Sequence, residues 1–467
     1  EWHHYAIVWD GATLPAPPAS RRVPSMSNKR SFCGMADFSI RGLGSYVILP
    51  PMRKRSEWLP LAVVFASVYF FSMNGLGAMP ALAVNFLLKN NAGLTPTQMA
   101  YFQAVTLLAW VVKPLWGILS DFFPIFGSRR KSYLVLTSLF AGGAWLVLSS
   151  LTIYTVPTLL LLITLIYMAY AFQDVVTDGL MVETGQPLNM TGQFQSIQWT
   201  AVYAAMILTA LAGGWVADLA RGGKISYQVI FAITAFCPLL TAAIVILLVR
   251  EPTMPHPEVT AGHDLKDIFR HPGIWILAFF LFLWNFSPSF GAPFFYYAVD
   301  TLKFSGTFLG ILQAVAGAGA LAGSISYGIF FADFPIRRFL RIAVILGVLA
   351  TLSYFVYFAH PIIARPTVMK GLALGMNFFL GIASSVIFLT LLNLAAKVSP
   401  RYAGGTVFAL LMSFYNLGQM GSQALGGFLF PMIGLRPLIL VSAVFSLFVL
   451  VLIPYLPLKP ETSIVSN

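Results

Sequence analysis

Long apolar runs separated by short polar segments dominate the chain from about residue 60 onwards. A helix that crosses the hydrocarbon core of a bilayer needs about 20 mostly apolar residues. Runs of that length predict spans at 60–88, 97–119, 132–152, 156–180, 192–219, 227–249, 272–299, 306–332, 338–359, 367–396, 404–431 and 436–457. Because a helix satisfies its own backbone hydrogen bonds, it meets the demand of the bilayer interior. The pattern predicts an all-α membrane protein with about twelve transmembrane helices.

Several positions recur in the second half of this pattern at one constant offset. The matched pairs are Pro187 with Pro400, Gly192 with Gly405, Gly213 with Gly426 and Gly214 with Gly427. A second match, allowing one residue of slippage, follows the second helix of each half: an aromatic-Gly-Ile triplet leads to an Asp, a Pro and a basic cluster. These repeats predict two pseudo-symmetric six-helix halves, the architecture of the major facilitator group, with a cavity near the membrane midplane.

The predicted organisation has five parts. The amino-terminal half covers 58–250 and the carboxy-terminal half 272–458, with a polar cytoplasmic loop at 251–271 between them and a short cytoplasmic tail at 459–467. Residues 1–57 are rich in Ser, Pro and Arg, so they resemble either the remnant of a transit peptide or sequence upstream of a natural start at Met52. We expect this extension to be disordered in either case.

Composition and charge support the membrane interpretation. Hydrophobic residues make up 58% of the chain and charged residues 9%, whereas a soluble domain carries about 25% charged residues. The net charge of +12 does not form a basic face with interleaved aromatics, so we expect no nucleic-acid partner. With both termini in the cytoplasm, the inside segments hold more than twice as many Lys and Arg as the outside segments. This distribution predicts that both termini lie in the cytoplasm. We also expect the protein to be a monomer and to lie in a bacterial inner membrane or a plastid envelope.

The sequence offers little support for an enzyme. It contains no phosphate-binding G-x-x-x-x-G-K-[ST] motif and no evident nucleophile–base constellation. Cys33 and Cys237 are far apart and the histidines form no cluster inside a span, so we expect neither a metal site nor a cofactor. A sensor would need a sizeable soluble domain, and a channel would need a repeated filter or a ring of like charge. A secondary transporter of a small molecule remains the favoured class.

Four stretches resemble one known family in order and spacing. KPLWGILSDFFPIFGSRRKSYL at 113–134, YAFQDVVTDGLMVETG at 170–185, FLWNFSPSFGAPFFYY at 282–297 and the segment 394–413 are similar to the folate–biopterin transporter family. The resemblance implies a major facilitator fold and proton-coupled import of folates, pterins or, in some members, S-adenosylmethionine. Gln173 and the run at 399–402 depart from the plant-type members, which bears on the cargo. Muropeptide and acetyl-coenzyme A permeases are alternatives with the same fold.

Asp174 and Asp178 are the strongest candidates for a substrate or proton site. They are four residues apart on one predicted helix and therefore share a face. Two carboxylates this close, partly out of water, do not both ionise readily, so the pair should exchange a proton near neutral pH. A carboxylate would also accept the adjacent N–H groups of a pterin. The structural alternative is that Asp178 pairs with Arg129, Arg130 or Lys131 as a cytoplasmic latch.

Other polar residues inside predicted spans extend this candidate site. Lys113 would bind a substrate carboxylate, neutralise Asp174 or Asp178, or extend its amine to the membrane surface. An amide side chain lies next to a tryptophan at two places, Gln198–Trp199 and Trp284–Asn285, and this combination suits a heterocyclic ligand. A further amide, Asn393, lies in the tenth predicted span. Such amides also commonly bind helix to helix.

A conformational gate is predicted at the ends of the second helix of each half. The resemblance to the major facilitator group implies that Asp121 and the basic residues Arg129 and Arg130 hold inward-closed states together, with Gly117 permitting close helix packing. We add the following residues to the gate: Glu183 in the first half, and Asp333, Arg337 and Arg338 in the second.

Overall fold

The computed structural model describes residues 55–72, 76–188, 190–249, 272–327, 335–360, 364–398 and 404–456. Within these ranges the chain is helical, and the only strand-like pairing is an isolated bridge between Ile125 and Ser128. Residues 1–54 of the predicted extension, the loop 251–271, the tail 459–467 and Asp333 lie outside the described residues. The proposed part boundaries at 58–250 and 272–458 stay predictions.

Fifteen α-helices form the described chain. The first eight are α1 (Arg55–Phe71), α2 (Ala81–Phe86), α3 (Pro96–Val111), α4 (Lys113–Phe122), α5 (Lys131–Ser150), α6 (Val156–Leu188), α7 (Thr191–Arg221) and α8 (Tyr227–Leu248). The others are α9 (Pro272–Asn285), α10 (Gly291–Asp300), α11 (Gly306–Ser326), α12 (Ile336–Ser353), α13 (Pro366–Val398), α14 (Gly404–Ile433) and α15 (Leu435–Leu452). Short helical turns cover Leu76–Ala78, Leu87–Asn91, Tyr354–Phe358 and Ile453–Tyr455.

The predicted spans correspond to these helices, with three of them interrupted. The first span divides into α1 and α2, the second into α3 and α4 at Val112, and the seventh into α9 and α10 around Pro288. Proline lacks the amide that a helix needs and clashes with the carbonyl four residues earlier, which explains the last two interruptions. Among the described residues, ten segments are long and apolar enough to cross a membrane. The two other predicted spans correspond to α14 and to the α9–α10 pair.

Successive spans run in opposite directions and so create two faces of the bundle. On one, which we call the basic face, the Lys131 amine donates to the Ile246 and Val249 carbonyls at 2.9 Å each, tying the start of α5 to the end of α8. The corresponding contact in the second half runs from the Arg337 guanidinium to the Leu456 carbonyl at 3.2 Å. A cation at the start of the third span therefore caps the end of the sixth span in each half, where free carbonyls attract positive charge.

The buried core is divided between the two halves. The largest cluster of buried apolar residues joins α1, α3 and α5–α8 around side chains such as Phe65, Phe194 and Phe231. A second cluster joins α9 and α12–α15 around Leu277 and Leu411. This division agrees with two pseudo-symmetric six-helix bundles.

The halves meet along two helix pairs, α3 with α14 and α7 with α11. Backbones touch at the second of these: a Cβ atom on Gly310 would lie 2.2 Å from the Ala210 carbonyl oxygen, and one on Gly214 would lie 2.5 Å from that of Gly306. Gly427 of α14 packs in the same way on α3, where an added Cβ would lie 2.9 Å from that of Ala100. Small residues permit such close packing in membranes, so the repeated pair Gly214 and Gly427 serves the contact between halves.

Candidate functional site

Tyr69 of α1 joins the two predicted aspartates of α6. Its hydroxyl lies 2.9 Å from Asp174 Oδ1 and 2.9 Å from Asp178 Oδ1, and the Tyr69 side chain is 8% exposed. A tyrosine hydroxyl carries one hydrogen and donates it to one acceptor. The second short contact is either the second arm of a bifurcated bond or a bond that a protonated carboxyl group donates to the Tyr69 oxygen. The geometry fits one proton shared by the two aspartates through Tyr69.

Lys113 is the cation of this group. Its amine forms an ion pair with Asp174 Oδ2, and lies 4.8 Å from the centre of the Trp110 ring. The side chains of Lys113 and Asp174 are only 15% and 14% exposed. Of the three roles considered for Lys113, the structure has it neutralising Asp174.

Asp178 is the accessible member of the group. It is exposed, whereas Asp174 is half-buried and Tyr69 buried. Its partner is the Tyr69 hydroxyl, and the basic residue Arg130 instead binds Asp121 and Glu183. Asp178 therefore belongs to the Tyr69–Lys113–Asp174 cluster, where a proton or a ligand can reach it.

A series of aromatic contacts crosses between the halves, from α7 through α13 to α14. The Trp199 ring of α7 lies 5.9 Å from Phe388 of α13, and Phe388 lies 5.9 Å from Tyr415 of α14, both edge to face. Neighbouring Gln198 is 2% exposed, and its amide nitrogen has no hydrogen-bond partner among the described residues. A buried donor of this kind needs water or a ligand to satisfy it.

Trp284 and Asn285 lie in a different environment. The Asn285 amide donates to the Tyr415 carbonyl at 3.3 Å, and Trp284 packs against Phe280 of its own helix. Both line a cavity of about 390 Å³ within the second half, together with the polar residues Ser287, Ser289, Thr351, Ser422, Ser442 and Ser446. Among the described residues, no hydrogen bond or ring contact joins Trp284 or Asn285 to the aspartate pair.

Asn393 binds helix to helix. Its amide donates to the Tyr327 hydroxyl at 3.1 Å, joining α13 to the end of α11. The predicted site residues therefore form two groups, one around Asp174 and one around Tyr415, with Asn393 outside both.

The first predicted gate forms a compact ionic cluster on the basic face. The Arg130 guanidinium donates to Asp121 Oδ1 and Glu183 Oε1 at 2.7 Å each and to Ser120 Oγ at 2.9 Å, with Arg129 3.9 Å from Glu183. Burial alone would lower the pKa of Arg130, but hydrogen bonding and charge attraction from Glu183, and then from Asp121, raise the pKa above its usual value. Arg130 therefore stays charged and holds the ends of α4 and α6 together.

The close packing expected at Gly117 occurs elsewhere. A Cβ atom on Gly117 would lie 3.6 Å from Val175, an ordinary contact, so this position does not require glycine. At Gly179 of α6 an added Cβ would lie 2.7 Å from Arg130 Cζ. A side chain at 179 would therefore have to displace the guanidinium, which lies directly against the helix backbone.

The second predicted gate is described only in part. Arg337 binds the Leu456 carbonyl at the end of α15, which ties helices within the second half. Arg338 lies at the same end of α12, and Asp333 lies outside the described residues. Whether these three residues gate the protein stays a prediction.

The opposite face of the bundle is closed by contacts between the halves. Asp218 of α7 accepts hydrogen bonds from the Gly306 amide, the Thr307 amide and the Thr307 hydroxyl, each at 2.7 Å, and so caps the start of α11. Lys89 pairs with Asp300 at 2.8 Å across the same face. We call Asp218 and its α11 partners the opposite-face seal.

Sequence reasoning missed several of these functional residues. Tyr69, Trp110 and Gly179 lie within apolar runs, where a lone Tyr, Trp or Gly also fits ordinary packing or an interfacial belt. Asp218 lies at a predicted helix end and so looked like a solvated residue. These residues contact partners on other helices, and the spacing of residues along one helix does not show which helices are neighbours.

Comparison with known proteins supports the fold and the family. A family model described as the BT1 family matches residues 74–464. The chain is 31% identical over 417 residues to a folate-biopterin transporter of Synechocystis sp., covering 86% of this chain and 82% of the relative. It is 26% identical over 412 residues to folate transporter 2 of Plasmodium falciparum, covering 84% of this chain and 87% of the relative.

Solved structures show the same architecture at low sequence identity. The nucleoside transporter NupG superposes with a TM-score of 0.62 at 16% identity, covering 85% of this chain and 97% of that one. The D-xylose-proton symporter superposes with a TM-score of 0.63 at 13% identity, covering 86% and 97%. Both have the major facilitator fold, which confirms the predicted fold class.

Proposed function

Because the chain belongs to the BT1 family and is a multi-pass membrane transporter of the major facilitator fold, we propose that it imports folate, a pterin or a related heterocycle together with protons. The names of its relatives support the cargo class. One observation carries the coupling: Tyr69 bridges Asp174 and Asp178 while Lys113 pairs with Asp174. The working unit is one chain, with both termini in the cytoplasm.

The cluster links a proton to the charge state of Lys113. When Asp174 is ionised, it neutralises the Lys113 amine. A further proton on the aspartate pair would remove the negative charge beside Lys113, and a half-buried cation then needs another anion. A carboxylate of folate supplies one. Proton uptake thereby favours substrate binding, and loss of either favours loss of the other.

The heterocycle would bind beside this cluster. Asp178 is exposed and offers acceptor oxygens to two adjacent N–H groups of an aminopyrimidine ring. Gln198 offers an unpartnered amide and Trp199 a flat apolar surface for the ring. The opposite-face seal is closed in the structure, so the bound substrate would leave or enter through the basic face in this state.

Uptake of labelled folate into cells that express the chain tests this proposal. We expect saturable uptake that collapses with a protonophore and with Asp174→Asn or Asp178→Asn. Tyr69→Phe should lower uptake by roughly tenfold, because a hydrogen bond to a charged group contributes about 1.5–3 kcal/mol. Tyr101→Phe is the matched control, since Tyr101 is 40% exposed on α3. Membrane-inserted protein that gives no folate uptake above empty cells would remove the folate assignment.

The same uptake assay distinguishes the cargo alternatives. Biopterin, S-adenosylmethionine, muropeptides and acetyl-coenzyme A are offered in turn to the same cells. Proton-dependent uptake of one of these, with the same loss in Asp174→Asn, would keep the coupling site and change the cargo.

A further inference from the structure

The kink between α3 and α4 leaves a backbone carbonyl without its normal helical partner. In a continuous helix the Trp110 carbonyl accepts a hydrogen bond from the amide four residues later. That residue is Pro114, which has no amide hydrogen and whose ring crowds the same carbonyl. The helix bends at Val112, and the next amide-to-carbonyl bond runs from Leu115 to Val112.

A side chain from the other half of the molecule replaces the missing amide. The Asn416 amide nitrogen of α14 lies 3.2 Å from the Trp110 carbonyl oxygen. Leaving a buried carbonyl unpaired is unfavourable, so this bond stabilises the bent form of the second span. It also joins the halves along the α3–α14 contact.

The bent segment is the one that carries Lys113. Lys113 is the first residue of α4, its amine lies over the Trp110 ring, and its partner is Asp174. The kink therefore sets where the Lys113 amine lies relative to Asp174. We propose that Asn416 is a positioning residue, which acts through the Trp110 carbonyl to hold Lys113 against Asp174 and makes that ion pair sensitive to the relative placement of the two halves.

This inference rests on the proposed role of the Lys113–Asp174 pair in coupling, but its test has an arm that needs no transport. The variants are Asn416→Leu, Pro114→Ala and the double variant. Pro114→Ala restores the amide that the Trp110 carbonyl lacks, so it should reduce the need for Asn416. Asn377→Leu is the matched control, because the Asn377 side chain bonds within the second half, to the Ala373 carbonyl and to Tyr357.

The first arm is thermal unfolding of the purified proteins in detergent. We expect Asn416→Leu to lower the unfolding temperature in the natural background and to lower it much less beside Pro114→Ala. If Asn416→Leu lowered the unfolding temperature equally in the natural sequence and beside Pro114→Ala, the link between Asn416 and the missing amide would be wrong. This result does not depend on which substrate the protein transports.

The second arm is the pH profile of uptake. We expect Asn416→Leu to shift the pH of half-maximal uptake and to raise the substrate KM by about fivefold, the loss of roughly one hydrogen bond, with partial rescue by Pro114→Ala. Asn377→Leu should leave both quantities unchanged. An Asn416→Leu profile that coincides with the natural one would overturn the positioning role. Failure of the folate proposal would appear separately, as absence of uptake by the unmodified chain.

Discussion

Lys113 and Asp174 form a half-buried ion pair in which each charge depends on the other. Both side chains are about six-sevenths covered, so neither recovers full hydration when its partner is removed. Breaking such a pair from one side is more damaging than replacing both members, because one uncompensated charge stays in a poorly hydrated place.

This asymmetry gives a stability prediction for the pair. Asp174→Asn and Lys113→Gln should each lower the free energy of unfolding by about 3 kcal/mol, whereas the double variant should recover most of that loss. Thermal unfolding of the purified proteins measures the three changes. Additive losses in the double variant would show that the two charges do not stabilise each other.

Gly179 leaves the space that the Arg130 guanidinium of the ionic cluster occupies. Gly179→Ala should displace the Arg130 guanidinium from Asp121 and Glu183 and lower stability by about 1–3 kcal/mol, as overpacking does. Gly117→Ala is the control, since its added methyl meets Val175 at an ordinary distance and gains about 1 kcal/mol of helix propensity. If both substitutions changed the unfolding temperature by the same amount, the proposed steric role of Gly179 would be wrong.

At the scale of elements, interrupted helices bring the functional groups into position. The bend between α3 and α4 places Lys113 at a helix start, and the interruption between α9 and α10 opens the cavity lined by Trp284 and Asn285. Irregular backbone inside a membrane protein occurs where it is buried or lines a cavity. These interruptions are therefore part of the site.

The start of α11 shows how one element holds another. Its free Gly306 and Thr307 amides donate to the Asp218 carboxylate, which satisfies the helix end and its partial positive charge. Since α7 and α11 belong to different halves, this cap must break whenever the opposite face opens.

Asp218→Asn should therefore favour opening of the opposite face. Ala217 is fully buried beside the cap, so the rate at which Ala217→Cys reacts with a thiol reagent, with Cys33 and Cys237 changed to Ser, reports that opening. We expect Asp218→Asn to speed the reaction by roughly tenfold, the loss of about 1–2 kcal/mol of charge-assisted bonding.

The control is Asp300→Asn, which removes the ion pair with Lys89 on the same face. Asp300 is 55% exposed, and an exposed pair contributes well under 1 kcal/mol, so the reaction rate should change little. An effect equal to that of Asp218→Asn would mean that charge at this face, and not the helix cap, keeps it closed.

For the whole molecule, two bundles, each with a large apolar core, meet mainly along α3–α14 and α7–α11, and a smaller apolar cluster joins them around Phe86 and Val299. If 58–250 and 272–458 are the two halves, a chain divided within 251–271 should still assemble from two co-expressed pieces, because each piece keeps its own core and its contact helices. Co-purification of a tagged first piece with the second measures this. Two membrane-inserted pieces that never associate would contradict the predicted boundaries.

Much of this architecture is determined locally. Apolar length and the low fraction of charge are sufficient for the helical membrane class, because the bilayer admits few backbone structures. The fixed offset of Pro and Gly between the halves identifies the repeat, and a spacing of four places Asp174 and Asp178 on one helix face. Each of these properties depends on residues near one another in sequence.

Tertiary structure alone decided which distant residues meet. Tyr69 reaches both aspartates from α1, Arg130 lies against Gly179, Asp218 caps a helix of the other half, and Asn416 replaces the amide that Pro114 lacks. Trp284 and Asn285, predicted for the same candidate site as the aspartates, line a cavity of the second half. Hydropathy is nearly uniform around an apolar helix, so it does not record which side faces a partner, and that orientation is fixed only when the helices pack.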